Sequence, residues 1–490
     1  MSRQGTHLRI SNWIQGRAIG PSSKAWFPKH NPHNGMILSY VPDSSAADVA
    51  RAVESARKAF CFWREISAVQ RGDILFRFVE LMRENEKKLA ACVAQETGKS
   101  PRDSLQEVQA SIRQGQFFAG EGMRLYGKSL VSAVARKHSH TIRQPLGVAG
   151  LIVPANTPLA NIAWKVFPAL ICGNTAVLKA SEDAPATGNL FAEMGWRAGL
   201  PAGVLNVIHG RGSPAGSSLV ENPEVDLISF TGSTQTGRWI AQTAGARLAR
   251  VSLELGGKNP LVVCDDADLD HAVFCALSSA FSNAGQRCAA ASRIFVFRKI
   301  YRAFCARLVR ATERLKVGPQ NGCDLGPVIN SSSHRRILEA IAEAKKRGGK
   351  ILTGGKPPKQ PALRHGYYVE PTLIAGLPSH DVLNTDEIFG PVATLTEVAD
   401  LEEAIRLAND CPYGLTAAIH TRSVDRAWEF VQHVRSGVAN VNLGTHGSEP
   451  HMPFGGFGAS GNGTREPGVE ALDVYSELKT ISFSRRGQIR

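Results

Sequence analysis

Hydrophobic positions in the N-terminal part of the chain recur every three to four residues. Val49, Val53, Ala56 and Phe60 follow this spacing, as do Ile74, Phe78, Leu81 and Met82. The period puts them on one face and predicts helical packing from Ala46 to about Leu89. From Gly147 the texture changes to short apolar runs that end in Gly, Pro or Asn. Val148–Val153 precedes Pro154 and Thr175–Leu178 precedes Lys179, while Val204–Ile208 and Leu227–Phe230 each precede a glycine-rich loop. These runs read as buried strands with helical stretches between them, which predicts an α/β fold with a doubly wound parallel sheet. Ligands of such sheets bind beyond the C-terminal ends of the strands, where Pro154, Lys179 and the glycines fall.

A second α/β series begins after Gly257. Leu261–Cys264, Arg293–Phe297 and Ala417–His420 read as strands, and Tyr301–Leu315 and His334–Lys346 as helices. With 490 residues the chain exceeds one ordinary core, so two or three domains are expected. The last strand-like piece, Lys479–Phe483, has two readings: pairing with an edge strand of another subunit, or a frayed C-terminal strand.

Composition narrows the class. Nine scattered cysteines form no Cys-x-x-Cys and no zinc-finger spacing with His, so a reducing compartment is expected, with neither a disulfide framework nor a metal site. The N-terminus has no charged-then-apolar signal, and no stretch approaches the roughly 18 apolar residues of a membrane span. Both point to a cytoplasmic protein without a membrane partner. The net charge of +14 would suit nucleic acid or anionic substrates. The basic residues are dispersed, however, apart from a tail at Arg485, Arg486 and Arg490, and no basic stripe alternates with aromatics. A solvated basic surface is therefore expected, and no nucleic-acid partner.

The chemistry concentrates in two segments. Cys288 lies in Ser282-Asn283-Ala284-Gly285-Gln286-Arg287-Cys288, and Glu254 opens Glu254-Leu255-Gly256-Gly257-Lys258. A thiol can attack a carbonyl, and a separate carboxylate can later activate a water, so the pair suggests a thioester that is hydrolysed. Gly232-Ser233-Thr234-Gln235-Thr236-Gly237 follows an apolar strand and precedes a helix. Glycines there let backbone amides approach phosphate oxygens at a helix N-terminus. The Gly-x-x-x-x-Gly spacing is not the usual dinucleotide fingerprint, and alone it fits a plain strand-to-helix turn equally well. The loop from Gly210 to Gly216 has the same two readings.

Taken in order, seven motifs resemble the NAD(P)-dependent aldehyde dehydrogenase superfamily: Pro154–Pro158, Lys179–Glu182, Gly232–Gly237, Glu254–Lys258, Gly285–Cys288, Glu387–Pro391 and Pro453–Gly456. The resemblance spans about residue 10 to residue 484. It implies a Rossmann-like cofactor domain (1–126 and 146–257), an α/β catalytic domain (258–456) and a small β oligomerisation arm (127–145 and 472–490), assembled as a homodimer or homotetramer. Cys288 would be the nucleophile. Asn156 would hold the oxyanion and Glu254 would activate water. Lys165 would orient Glu254 or Asn156, or serve in packing or a salt bridge. Lys179 and Glu182 would hold the adenosine ribose, Ser233 the pyrophosphate and Glu387 the nicotinamide ribose. Phe389 would pack near the nicotinamide, and Gly212, Gly216, Phe230, Gly232 and Leu255 would line the same site. The bland readings of these positions are a solvated turn for Lys179 and Glu182 and a core aromatic for Phe389. A carboxylate at Glu182 repels a 2′-phosphate, which favours NAD; the nearby cations Lys179 and Arg211 keep NADP open.

The chain departs from the family around the substrate. Pro154-Ala155-Asn156-Thr157-Pro158 stands where Pro-Trp-Asn-Phe-Pro is frequent, and Asn161 stands where an apolar residue is frequent. With Thr157 and Asn161 the tunnel is expected to be more polar than that of an enzyme for fatty or aromatic aldehydes, Trp164 keeping one apolar wall. Arg287 would bind a substrate anion or pair with a carboxylate, and His446 would border the substrate. The expected substrate is a short polar or hydroxylated aldehyde, the alternative being a dedicated semialdehyde or lactaldehyde-type enzyme.

Overall fold

A computed structural model describes residues 8–484 of the chain. The arginine tail from Arg485 onward and the outermost ends of the expected cofactor domain and arm lie outside the described residues. The helical stretch expected from Ala46 to about Leu89 divides into three helices, Ala46–Trp63, Ala68–Glu84 and Glu86–Thr97. The breaks have a local cause. Ser67 caps the second helix by accepting from the Gln70 N–H at 3.2 Å while Gln70 accepts from the Ser67 N–H at 3.3 Å, the reciprocal pairing that ends one helix and starts another.

The first large sheet has seven strands in the order Arg250–Glu254, Leu227–Thr231, Val148–Ile152, Thr175–Lys179, Leu205–Ile208, Asn12–Ile14, Arg17–Ile19. The first five are mutually parallel, and the last two form an antiparallel edge. Val148–Ile152 is buried throughout. Its alternate residues serve opposite faces: Ala149 and Leu151 join a core with Phe78, Phe167 and Phe191, whereas Val148 and Ile152 join one with Val53 and Ile240. Burial on both faces is why the strand reads as a continuous apolar run. The strand order reverses between Val148–Ile152 and Leu227–Thr231, and the loops after these two strands carry Asn156 and Gly232.

The second sheet repeats the plan: Lys350–Thr353, Thr372–Ala375, Val392–Val398, Ala291–Phe297, Asn259–Val263, Thr416–His420, Val438–Val441. All pairings but the first are parallel. Its strand order reverses between Asn259–Val263 and Thr416–His420. The doubly wound reading therefore holds twice.

The C-terminal segment corrects the reading of Lys479–Phe483 as a frayed strand. Ser476–Ser484 pairs antiparallel with Lys137–Pro145 of its own chain, in continuous register from Ser476 opposite Pro145 to Ser484 opposite Lys137. Ser129–Leu130 completes this three-stranded sheet, and Ser476–Ser484 keeps one open edge. Among the described residues no helix is long and apolar enough to cross a membrane.

Candidate active site

Cys288 sits in a loop whose backbone is unusual. Asn283, Ala284 and Gly285 are consecutive left-handed residues, with φ of 54°, 53° and 68°. A side chain at Gly285 would place its Cβ 2.1 Å from the Gly390 carbonyl oxygen, so glycine is required. The turn is held from within and from outside. Asn283 donates its amide to the carbonyl oxygens of Asn156, at 3.0 Å, and of Gln286, at 3.2 Å. Gln286 accepts from the Ile329 N–H at 2.9 Å. Strain in the loop is thus over-determined by side chains that sequence spacing does not reveal.

Asn156 meets this loop. Its amide nitrogen donates to the Gln286 carbonyl oxygen at 3.1 Å, which leaves its second N–H free. The helix that follows, Pro158–Ile171, starts without a side-chain cap from Thr157. Glu107 supplies it from a distant helix, accepting from the Leu159 N–H at 2.9 Å and the Ala160 N–H at 3.3 Å, and the buried Lys99 pairs with the same carboxylate. Asn161, expected on the substrate wall, is buried. It donates to the Thr157 hydroxyl at 2.8 Å and carbonyl at 2.9 Å and lies 3.4 Å from the Asn156 side-chain oxygen. A polar side chain at this depth is held by partners rather than by solvent. Trp164 packs edge-on to Phe454 with ring centres 5.5 Å apart, in an apolar group that includes Cys288.

Glu254 is buried, and neither carboxylate oxygen has a hydrogen-bond partner among the described residues. Burial and the nearby Glu466 raise its pKa well above the ordinary value, against the opposing charges of Lys165 and Arg465. Of the readings given for Lys165, the salt bridge is the one formed. It donates to Glu466 at 2.7 Å and to Ser229 at 2.8 Å, all three side chains being buried. Glu466 also accepts from Ser229, Ser252 and the Tyr475 hydroxyl. This carboxylate is the main residue that sequence reasoning missed, since no motif marks it and its partner lies far upstream in the chain.

The Cys288 thiol is pushed up to about 12 by burial, then by the carboxylates of Glu387 and Glu254; a backbone N–H from Ala289 and the charge of Arg287 act the other way. Among the described residues Arg287 forms no salt bridge, and its Nε is buried without a hydrogen bond. His446 also has a buried unpartnered nitrogen, Nδ1, and is pushed down to about 4 by burial and by Arg287.

A cleft of about 330 Å³ opens beside this centre along the C-terminal ends of the first sheet. Asn156, Lys179, Glu182, Phe230, Gly232 and Phe389 line it. Gly212 and Gly216 line it too, and a Cβ at either would project into open space. Lys179 pairs with Glu182 at 2.8 Å. Burial alone would raise the Glu182 pKa, but the Lys179 ammonium and its hydrogen bond pull it below the ordinary value. Arg211 is held by Asp43 at 2.8 Å. Ser233 caps the helix Thr234–Gly245, accepting from the Thr236 N–H at 3.2 Å, and Gly232 and Thr236 rather than Ser233 line the cleft. Leu255 packs beneath Gly237 of that helix, outside the cleft. Glu387 accepts from the Gly257 N–H at 3.0 Å and is pushed up to about 7 by burial.

The model of the aldehyde dehydrogenase family matches residues 19–481. The chain is 36% identical to an alpha-ketoglutaric semialdehyde dehydrogenase of Bacillus subtilis, over 98% of this chain and 99% of that protein. It is 37% identical to the NADP(+) succinate-semialdehyde dehydrogenase of Escherichia coli, over 92% of each. The solved structure of a betaine aldehyde dehydrogenase from Staphylococcus aureus in complex with NAD+ superposes with a TM-score of 0.96 at 33% identity, covering 99% of this chain and 96% of that one. Sequence and fold thus agree with these proteins over nearly the full length: the chain is an enzyme of the aldehyde dehydrogenase family.

Proposed function

We propose that the protein oxidises a short polar aldehyde to the free carboxylic acid, with NAD as the preferred acceptor, through a thioester on Cys288. The observation that carries this reading is the approach of Cys288, Asn156 and Glu254 beside the cleft that Asn156 lines: the Asn156 amide bonds to the loop of Cys288, and the Glu254 charge is felt at the thiol.

The cleft suits a dinucleotide. Lys179 and Glu182 would hold the adenosine ribose, the glycine-lined turns and the start of the helix Thr234–Gly245 would face the phosphates, and Glu387 and Phe389 would border the nicotinamide. Bound oxidised NAD would supply a hydride acceptor and a positive ring charge close to the thiol.

The Cys288 thiolate adds to the carbonyl carbon, forming a C–S bond and an oxyanion. The free N–H of Asn156 and the Cys288 backbone N–H stabilise that oxyanion; one such donor is worth about 10²–10³ in kcat. Loss of hydride from the carbon leaves a thioester. Glu254 then takes a proton from water, whose oxygen adds to the thioester carbon; the C–S bond breaks and the acid leaves. A carboxyl with a raised pKa and free oxygens suits a general base working near neutral pH. Lys165 and Glu466 set the field in which Glu254 titrates.

Arg287 favours a second reading, a dedicated semialdehyde dehydrogenase. A buried guanidinium nitrogen with no carboxylate partner, close to the nucleophile, suits a substrate that brings its own carboxylate. NADH production across short, hydroxylated, carboxylated and long-chain aldehydes tests both readings. Highest kcat/KM on long-chain alkanals would overturn both; a preference of tenfold or more for carboxylated aldehydes selects the second.

The open edge of Ser476–Ser484, with exposed Leu478 and Phe483, supports the role of this sheet as an arm between subunits of a homodimer or homotetramer. The two large sheets support a division into cofactor and catalytic domains near residue 257.

A further inference from the structure

The second sheet has its own switch point, and it carries a cluster of metal-ligating groups that the oxidation does not use. In a doubly wound sheet the ligand crevice lies beyond the C-terminal strand ends where the strand order reverses. In this sheet that place is between Asn259–Val263 and Thr416–His420. His420 ends the second of these strands. His271 and Cys275 stand four residues apart on the helix Leu269–Phe281, which follows the first. One ligand atom from each of His271, Cys275 and His420 lies within 4.8 Å of the other two.

The donors are prepared in a specific way. His420 is buried, and its Nε2 has no hydrogen-bond partner. The ring also interacts with the Leu443 backbone, which leaves Nε2 as its unengaged nitrogen. A ring nitrogen fixed by a backbone group while the other stays free is the usual arrangement of a metal-binding histidine. The Cys275 sulfur is 3.6 Å from His271 Nε2. Tetrahedral zinc, with Zn–S of about 2.3 Å and Zn–N of about 2.0–2.1 Å, needs an S···N separation of about 3.6 Å. The Asn442 carbonyl oxygen accepts from His271 Nε2 at 2.9 Å, a hydrogen bond that a bound ion would replace and whose oxygen would then be within reach as a fourth donor. Cys275 and His420 are buried while His271 is exposed, which gives an ion a path from solvent.

We propose that His271, Cys275 and His420 form a zinc site separate from the catalytic centre, with the Asn442 carbonyl or water as fourth ligand. Two imidazoles and a thiolate favour zinc over magnesium or calcium. No zinc-finger spacing marks the site, because two ligands come from one turn of helix and the third from a strand end far along the chain; the expectation of no metal site rested on spacing alone. The ion would also tie the segment Asn442–His446 to the helix. That segment lies along it, with the Thr445 N–H on the Ser279 hydroxyl at 3.1 Å and the Thr445 hydroxyl on the Ala289 carbonyl at 2.6 Å, next to the nucleophile.

The test uses the full chain, stripped with a chelator and titrated with Zn²⁺ against a chromophoric competitor and separately with Co²⁺. One Zn²⁺ per chain is expected in the wild type and equally in Cys288→Ser. Co²⁺ should give a thiolate-to-metal charge-transfer band in both, absent from Cys275→Ala. His271→Ala, at an exposed position that leaves the core intact, should weaken Zn²⁺ at least tenfold. Zinc affinity equal in wild type, Cys275→Ala and His271→Ala would overturn the proposal, as would binding that disappears in Cys288→Ser.

Discussion

Lys165 and Glu466 form an ion pair at 2.7 Å with neither side chain exposed to solvent. Breaking such a pair leaves a buried charge uncompensated, at a cost of about 3–5 kcal/mol. Lys165→Ala is therefore expected to lower the Tm clearly in thermal unfolding. The pair also sets the titration of Glu254, whose pKa is raised by burial and Glu466 and lowered by Lys165. Glu466→Gln should move the alkaline-rising limb of thioester hydrolysis, measured in kcat, to lower pH; Lys165→Ala should move it to higher pH. A shift in the same direction for both would contradict this account.

Glu254→Gln should retain a burst of NADH and lose steady turnover, read by stopped-flow; loss of the burst as well would remove Glu254 from the hydrolytic step. The same substitution should stabilise the fold near neutral pH. The folded pKa of Glu254 is raised, so its contribution is fully present only below the unfolded value of about 4.3 and is lost as pH rises through the folded pKa. The variant's gain in Tm should be near zero at about pH 4 and grow toward alkaline pH.

Glu182 accepts a hydrogen bond from Lys179 and lines the cleft. Its charge should repel a 2′-phosphate, so the wild type should show the lower KM with NAD. Glu182→Ala should cost about 10–100-fold in kcat/KM for NAD, the equivalent of one or two hydrogen bonds to a charged group. It should leave NADP less affected. Equal or better kcat/KM with NADP in the wild type would defeat the assignment.

Arg287→Gln separates the two substrate readings. If the guanidinium binds a substrate carboxylate, KM for carboxylated aldehydes should rise about 10–100-fold while neutral short aldehydes are unchanged. A uniform change across both classes would place Arg287 in support of the loop instead.

Much of the frame was legible because its signals are local. The apolar runs from Val148 to Phe230 marked strands to within a residue or two, since burial on both faces leaves no polar position to blur them. Cys288, Asn156 and Glu254 were legible from motif order. The partners of Asn161 and Lys165 were not legible: Asn161 bonds to Thr157, and Lys165 takes the salt bridge that was one of its readings, with a carboxylate the sequence did not single out. Each is a polar residue on an apolar helix, and its sequence is silent on whether its partner is a substrate, a neighbouring loop or a distant carboxylate.

The sequence by itself determined the parallel cores of the two sheets, the candidate nucleophile, the candidate base and the glycine-bearing turns, all set by hydrophobic periodicity and short contiguous motifs. Tertiary structure alone decided that Glu466 shares the site of Glu254, that Glu107 caps the helix after Asn156, that Ser476–Ser484 pairs within its own chain, and that His420 meets His271 and Cys275. These are contacts between segments far apart in the chain. Their energies come from desolvating charges and polar atoms together, and that depends on where the sheets bring side chains, which no local pattern encodes.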